Sequence, residues 1–478
     1  MRVLLINPDQ RHAVASEAGD LPRSGSGPYP PLGLLYLQAA LEAETSHRAE
    51  ILDANLPGEL GRLGGLRIAG AAPDLVGVTA LTPNLPGVLH ALDSARRAFP
   101  RARVVLGGPH VDLFPREAAA LEGVDFVLRG EAEQTLPALV AALEGGERAA
   151  IPGLVTSETF SPVTGEGDDS VPRVGEIDSL PLPDRSRLPL SRYRGIGGED
   201  VVFTSMLTSR GCPYRCRFCS TPGGRYRFRS AEAIVDEMRR CARLGIGHVY
   251  FVDDNFPTAG RRLRALCEAM LRERALPRWS CRTAAAGLSE SAFALMKRAG
   301  CIRVQIGVET GSEEGLRVLG KQATVEQLRE TFVAARRAGI ATMAYFMIGL
   351  PVERTPKDVR RLIRFAQDLG PTYAMFNVLT LYPGTELFAD AVGRGLVDGE
   401  LWRRFAACPE PGFLPPIWDE FFDRAELAAL QREAYRRFYL RPGVLWRELV
   451  SGGSLARKVR AGLELLRPAR SCPEQRQR

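Results

Sequence analysis

The stretch Ser209-Arg-Gly-Cys-Pro-Tyr-Arg-Cys-Arg-Phe-Cys-Ser220 puts Cys212, Cys216 and Cys219 on one short loop at Cys-x-x-x-Cys-x-x-Cys spacing. Gly211 and Pro213 favour a tight, irregular backbone over a helix. A cubane 4Fe–4S cluster takes four protein thiolates when it is closed. Three leave one iron open to chelate a substrate or cofactor. Two other readings stand beside this one, a structural zinc site and three ordinary core thiols. Structural zinc wants four ligands in close pairs. The nearest further donors are Cys241, inside a helical pattern, and His248, leading a strand.

Around this loop the hydrophobic pattern alternates between two periods. Strand-like apolar runs fall at 203–208, 248–252, 279–283, 302–307, 343–348 and 374–380. Helix-patterned segments near 230–244, 259–274, 289–299, 324–338 and 355–369 separate them. Repeated strand–helix units predict a parallel sheet with right-handed crossovers. Six units predict a partial (β/α)6 TIM barrel, with chemistry at the carboxyl ends of its strands.

From the cysteine loop to about Glu386 the chain resembles the radical S-adenosylmethionine superfamily. Phe218 sits at the aromatic position inside the motif, and the strand from His248 ends in Asp253-Asp254-Asn255. The resemblance implies that this triplet holds the methionine amine of S-adenosylmethionine. It also implies that Glu309, in Arg303-Val-Gln-Ile-Gly-Val-Glu-Thr-Gly-Ser312, grips the ribose hydroxyls. Gly349, in Tyr345-Phe-Met-Ile-Gly-Leu-Pro351, then passes the adenine, and Leu381-Tyr-Pro-Gly-Thr-Glu386 closes the set.

Residues 1–145 read as a separate α/β domain. Strand patterns at Val3–Asn7, Glu50–Asp53, Leu75–Thr79, Arg103–Gly108 and Asp125–Gly130, with helices from Pro31 and at 83–99 and 133–143, suit a doubly wound, flavodoxin-like (Rossmann-type) sheet. A ligand would lie on the loops at Thr79, Gly107-Gly108-Pro109-His110 and Gly130-Glu131. This half resembles the cobalamin-binding domain fused ahead of radical S-adenosylmethionine barrels, as in anaerobic magnesium-protoporphyrin cyclases and class B methyltransferases. The likeness is carried by Pro31–Tyr36, Gly107–His110 and Val124–Glu131. It implies that Thr79, Gly107, Gly108, His110, Gly130 and Glu131 face cobalamin. The Asp-x-His-x-x-Gly motif that supplies a cobalt-ligating His in methionine-synthase-type domains is missing. The loop after the first strand reads Asn7-Pro-Asp-Gln-Arg-His12, with His12 a surface residue. His110 is open to readings as ligand, base or structural residue, the structural one being preferred.

Residues 146–200 are a Pro/Gly-rich linker in which Val155 and Phe160 hint at a hairpin and Ile177–Asp184 at an ordered connector. The barrel occupies 201–390. A mainly helical region, 391–478, follows, with Trp402, Phe405, Trp418, Phe421 and Phe422 as packing residues. The net charge of +7 is a property of the tail. Residues 436–478 hold eleven Arg and Lys against three acids, so the rest is near neutral and no nucleic-acid partner is expected. Apolar residues at spacings of three and four in this tail, broken at Gly452-Gly453, describe two short amphipathic helices. These either pack on the barrel or touch an anionic membrane surface at its periphery. No run approaches the ~18–20 apolar residues of a membrane span. Nine cysteines in 478 residues, with no leader pattern at Met1, fit a reducing cytoplasm.

The resemblance implies three cofactors: a 4Fe–4S cluster on Cys212, Cys216 and Cys219, S-adenosylmethionine and cobalamin. It implies a 5′-deoxyadenosyl radical that takes a hydrogen atom from an unactivated carbon, which then receives a methyl group from methylcobalamin. The substrate is a small metabolite, lipid or natural product, and a flavodoxin- or ferredoxin-type protein donates electrons. Cyclisation, ring contraction or rearrangement without methyl transfer is the alternative. Methylthio transfer is disfavoured because the N-terminal domain has no cysteine for a second cluster. A cluster-bearing electron-transfer protein and a zinc module are readings of another class.

Overall fold

A computed structural model describes residues 1–14, 29–145, 150–156, 171–193, 201–221, 225–257, 260–285 and 288–450. The chain forms two units, each with its own sheet.

The first unit comprises Met1–Val14, Pro28–Arg192 and Asp398–Leu414. Its strands are β1 (Arg2–Asn7), β2 (Arg48–Asp53), β3 (Leu75–Thr79), β4 (Arg103–Gly107), β5 (Phe126–Leu128) and β6 (Leu154–Val155). They lie in the order β2-β1-β3-β4-β5-β6, the first five parallel. This is the doubly wound flavodoxin order. Val3, Leu4, Leu5 and Ile6 are all buried, as strands covered on both faces require. The expected five strands gain a sixth: β6 pairs antiparallel with β5 through Val127 and Val155. Two residues are too few to show a period, so only half of a hairpin was legible at Val155. Phe160, its expected companion, lies outside the described residues. The connector is ordered by short turns at Ile177–Ser179, Arg185–Arg187 and Leu190–Arg192. Arg187 binds Glu42 at 2.9 Å and Glu50 at 2.8 Å.

Asp398–Leu414 also belongs to this first unit, although it follows the barrel in sequence. Its helix Leu401–Ala407 buries Trp402 and Phe405, with Phe405 stacked on Phe413 at 4.0 Å and Arg403 paired to Glu117 at 3.1 Å.

The second unit holds β7 (Phe203–Met206), β8 (Ser209–Arg210), β9 (Arg227–Phe228), β10 (His248–Phe251), β11 (Arg278–Ala284), β12 (Cys301–Glu309), β13 (Ala341–Ile348) and β14 (Tyr373–Val378). Six of these make an all-parallel sheet in the order β14-β13-β12-β11-β10-β7, the partial barrel. Helices Ala231–Arg243, Gly260–Leu271, Glu290–Arg298, Val325–Arg337 and Pro356–Leu369 connect them. The edge strand β14 is covered by the helix Arg424–Tyr439. Tyr439 Oη accepts from Ala374 N at 3.0 Å, Tyr435 Oη accepts from Phe376 N at 3.2 Å, and Gln431 donates to Phe376 O at 2.8 Å. Side chains thus occupy an edge that would otherwise template aggregation. Trp418 and Phe422 are buried, and Phe421 is half-buried.

The first expected tail helix forms at Pro442–Val450 and exposes Leu445 and Trp446. The tail beyond 450 and the His12 side chain lie outside the described residues. Among the described residues no helix is long and apolar enough to cross a membrane.

Candidate functional site

The cysteine loop hangs from a clamp that the sequence pattern did not reveal. β8 and β9 pair antiparallel, Ser209 opposite Phe228 and Arg210 opposite Arg227, and pinch the loop at its base. Gly211 has φ +84°, and a side chain there would meet Arg225 O at 2.8 Å, so only glycine closes this turn. Cys212, Cys216 and Cys219 are free thiols of intermediate burial. Desolvation pushes the Cys212 and Cys216 thiols up, and each feels the charge of its neighbours and of Lys321.

Arg217, between two of the cysteines, docks the loop. Its N–H donates to Leu319 O at 3.0 Å, its carbonyl accepts from Leu387 N at 3.0 Å, and its guanidinium pairs with Glu386 at 2.9 Å and with Asp390. The 381–386 motif therefore closes on the cysteine loop. Phe218 packs against a core that includes Leu319, Leu350, Leu381 and Leu387.

The triplet after β10 divides its labour. Asp253 is fully buried and accepts from Thr208 N at 2.7 Å, Ser209 N at 2.9 Å and the Thr208 hydroxyl at 2.5 Å. Burial pushes it up to about 6 against those bonds. Asn255 is also committed to protein, its Oδ1 accepting from Ala284 N at 2.8 Å. Asp254 alone is exposed, with its carboxyl raised by desolvation and restrained by Arg282 and the Gly211 N–H. The amine-binding role expected of all three thus has one open carboxylate to rest on.

Glu309 ends β12 at φ +64°, beyond a register shift against β13. A non-glycine residue held there is strained, as functional positions often are. Its Oε1 accepts from Lys321 Nζ at 3.1 Å, with both side chains about 10% exposed (10% and 11%). Burial pulls the Lys321 ammonium down, but Glu309 and the thiols of Cys216 and Cys212 carry it above its ordinary range. Lys321 was not read from the sequence, although it is one of only four lysines among 63 basic residues. Gly349, expected at the adenine, has φ +78° and gives its N–H to Glu353 at 2.8 Å. A side chain there would meet Leu427 at 2.9 Å, so glycine is also required for packing. Glu353 is buried and pushed up to about 7.

In the first unit the expected loops cluster at the carboxyl ends of β3, β4 and β5. Ala80 N donates to Gly107 O at 2.7 Å and His110 N donates to Ala80 O at 3.1 Å. Gly108 (φ +97°) lies so close that a side chain would meet Ala80 O and Thr79 Oγ1 at 2.8 Å. His110 is fully buried, bonded through Nδ1 to Thr82 Oγ1 at 3.1 Å, and desolvation lowers it to about 4. Its Nε2 has no protein partner. Gly130 and Glu131 are bonded to protein partners. Gly130 N donates to Asp112 at 2.7 Å, Glu131 N to Pro172 O at 2.9 Å, and the Glu131 carboxylate accepts from Val174 N at 2.7 Å. The connector 171–174 occupies this pair.

On the barrel's inner face a second polar group appears. Tyr250 Oη donates to Gln305 Oε1 at 3.1 Å, and Tyr345 donates to the same oxygen. Arg303 and Gln305 alternate with Val304 and Ile306, a period of two that was present in the sequence but was absorbed into one apolar run.

Two mainly parallel sheets, one with a clamped three-thiol loop, define a two-domain enzyme class, and comparison with known proteins identifies it. Residues 206–366 match the radical SAM superfamily and residues 23–140 match the B12 binding domain. An uncharacterised methyltransferase of Pyrococcus horikoshii is 31% identical over 467 residues, spanning 94% of this chain and 95% of its own. The anaerobic magnesium-protoporphyrin IX monomethyl ester cyclase of Rubrivivax gelatinosus is 27% identical across 93% of this chain and 78% of its own. The radical S-adenosylmethionine methyltransferase TsrM from Kitasatospora setae shares the fold, with TM-score 0.66 and 23% identity, over 92% of this chain and 90% of its own. The chain belongs to the radical S-adenosylmethionine superfamily, with an N-terminal B12-binding domain. It is a cobalamin-dependent radical enzyme that uses a 4Fe–4S cluster and S-adenosylmethionine and needs a reductant.

The residues present fit these groups. Three soft, free sulfur donors on a closed loop beside a buried ammonium suit an anionic iron–sulfur cluster. Among the described residues no three His, Cys, Asp or Glu side chains converge on one ion. A cube holds its thiolates at separate corners and needs no such convergence. On the first sheet, the close approach at Gly108 and the orphaned Nε2 of His110 suit a flat ligand with polar edges.

Proposed function

We propose that the protein methylates an unactivated carbon of a small substrate. The observation that carries this is the similarity to the Pyrococcus methyltransferase along nearly the whole of both chains. When bound, the cluster and S-adenosylmethionine supply radical chemistry and cobalamin supplies a methyl group. Cys212, Cys216 and Cys219 hold the cluster. Asp254 receives the methionine amine, with Asp253 and Asn255 fixing the backbone on either side of it. Glu309, oriented by Lys321, receives the ribose hydroxyls, and Phe218 and Gly349 complete the cofactor surface. Thr79, Gly107, Gly108 and His110 face cobalamin, while Gly130 and Glu131 shape that surface through the 171–174 segment. The protein's contribution is to position these groups and exclude water. A flavodoxin- or ferredoxin-type donor in the cytoplasm supplies electrons, and the exposed Leu445 and Trp446 beside a basic tail favour a peripheral membrane contact. Similarity to the magnesium-protoporphyrin cyclase favours a second reading, rearrangement or cyclisation without methyl transfer.

The test is anaerobic reconstitution, followed by incubation with S-adenosylmethionine and reductant. Expected are about four irons per chain, bound corrinoid, and 5′-deoxyadenosine that disappears in Cys216→Ala. A product heavier than its substrate by one methyl group distinguishes methylation from rearrangement. A cluster that leaves S-adenosylmethionine intact in the wild type overturns both readings.

A further inference from the structure

Outside the C-terminal tail the chain is near neutral overall, but its charges are not evenly spread. Residues 209–229, the cysteine loop and the clamp that carries it, hold six arginines (Arg210, Arg215, Arg217, Arg225, Arg227 and Arg229) and no acid. Four of these are engaged within the fold. Arg217 pairs with Glu386 and Asp390, Arg229 pairs with the buried Glu237, and Arg210 and Arg227 have partners as well. Arg215 and Arg225 are exposed, and neither is paired with a carboxylate among the described residues. Arg262, near the start of the helix Gly260–Leu271, joins them. It is exposed, has no ion pair among the described residues, and sets its guanidinium 3.8 Å over the Phe228 ring of β9.

Close backbone packing ties these cations to the thiol loop. Arg215 lies between Cys212 and Cys216, and its carbonyl packs on Gly320 so closely that a side chain there would meet it at 3.0 Å. The Arg225 carbonyl packs on Gly211, next to Cys212, in the same way at 2.8 Å. Arg262 covers the clamp strand that follows. Like charges gathered without acids repel one another and do not stabilise a fold, so their effect is on what approaches from outside.

We propose that the face bearing Arg215, Arg225 and Arg262 docks the electron donor, a small protein whose cofactor edge is rimmed by carboxylates. This rests on the reading of the chain as a radical enzyme fed by a donor protein, and it names where that donor lands. The donor is oxidised by one electron and the cluster is reduced by one, with no bond made or broken. Attraction between opposite faces speeds encounter by about 10–10³-fold. Electron-transfer encounters use small interfaces, so a few charges suffice to steer them. Nucleic acid is the other polyanion that a basic face attracts. Single strands bind by stacking on open aromatic faces, whereas Tyr226 and Phe228 lie against each other at 4.2 Å and Arg262 covers Phe228.

Reduced flavodoxin, a small acidic flavoprotein, is mixed anaerobically with the reconstituted full chain, and bleaching of the cluster is followed by stopped flow. Reduced methyl viologen, a small cation that needs no docking face, is the parallel reductant. In Arg215→Gln/Arg225→Gln/Arg262→Gln the flavodoxin rate is expected to fall roughly tenfold at low salt, while the viologen rate does not fall. The corresponding triple Lys variant is expected to recover most of the flavodoxin rate, and added salt to slow the wild type toward the Gln variant. Arg225→Gln alone lies outside the thiol loop and is expected to slow flavodoxin about threefold, so the test stands even where the triple variant fails to take up iron. A flavodoxin rate equal in wild type and variants overturns the proposal, as does a wild type that viologen reduces and flavodoxin does not. A viologen rate that falls in parallel also overturns it, because the arginines then serve the cluster itself. Equal flavodoxin rates, together with a single-stranded oligonucleotide that binds the wild type alone, assign the face to nucleic acid. The readout is cluster reduction, so a wild type that is reduced yet leaves S-adenosylmethionine intact refutes the radical-enzyme reading without touching this one.

Discussion

The two six-stranded sheets are parallel except for β6 at the edge of the first, yet they distribute polar residues differently. In the first unit the strand runs are apolar on both faces, as in Val3-Leu4-Leu5-Ile6. In the barrel one face of each strand is helix-covered and the other lines a lumen. Polar residues therefore alternate along β10 to β13. The likeness at the rim is equally instructive. Each sheet sets a buried aspartate near a strand end. Asp53 accepts from Asn7 at 2.9 Å and from Asn55 N at 3.1 Å, and Asp253 accepts from Thr208 and Ser209. Curvature decides where side chains can act, while strand ends anchor loops in the same way in both.

The strongest way to break this comparison is Asp253→Ala. It strands two buried N–H groups and a hydroxyl, with an expected cost above about 3 kcal/mol. Iron content after reconstitution is expected to fall sharply, and retention of a full cluster would show that the clamp at β8 and β9 holds the loop without it. Next, Leu4→Gln in the two-sided sheet is expected to cost about 3 kcal/mol by chemical denaturation, because the amide has no partner there. Met375→Gln on the half-buried inner face of β14 is expected to cost below about 1 kcal/mol. Equal costs would remove the distinction between the two sheets.

Glu353 gives a pH-dependent refinement. Its folded pKa, about 7, lies above the ordinary 4.5, so its favourable contribution is complete below the ordinary value and is lost as pH rises through 7. The melting temperature of wild type relative to Glu353→Gln is expected to fall between pH 5 and 8, and a pH-independent difference would place the carboxyl in water. The smallest effect is expected for Arg217→Ala. Its ion pairs with Glu386 and Asp390 are partly exposed, so stability should change by less than about 1 kcal/mol. Any larger loss, seen together with lower cluster content, would mean that its backbone docking at Leu319 and Leu387 depends on the side chain.

The sequence alone determined the three-thiol loop, the number of barrel strands and the doubly wound N-terminal sheet. Each of these is written locally, in spacing or in a period of two or 3.6 residues. The tertiary structure alone decided which expected residues stay open. Asp253 and Asp254 are adjacent carboxylates with no local difference between them, yet Asp253 is buried against backbone N–H groups from 45 and 44 residues away while Asp254 stays exposed beside Arg282 and the Gly211 N–H. In the same way Lys321 joined Glu309, the connector at 172–174 closed over Glu131, and residues 398–414 joined the first unit. Such choices depend on partners distant in the chain, and a linear pattern holds no record of which distant group arrives first at a buried donor.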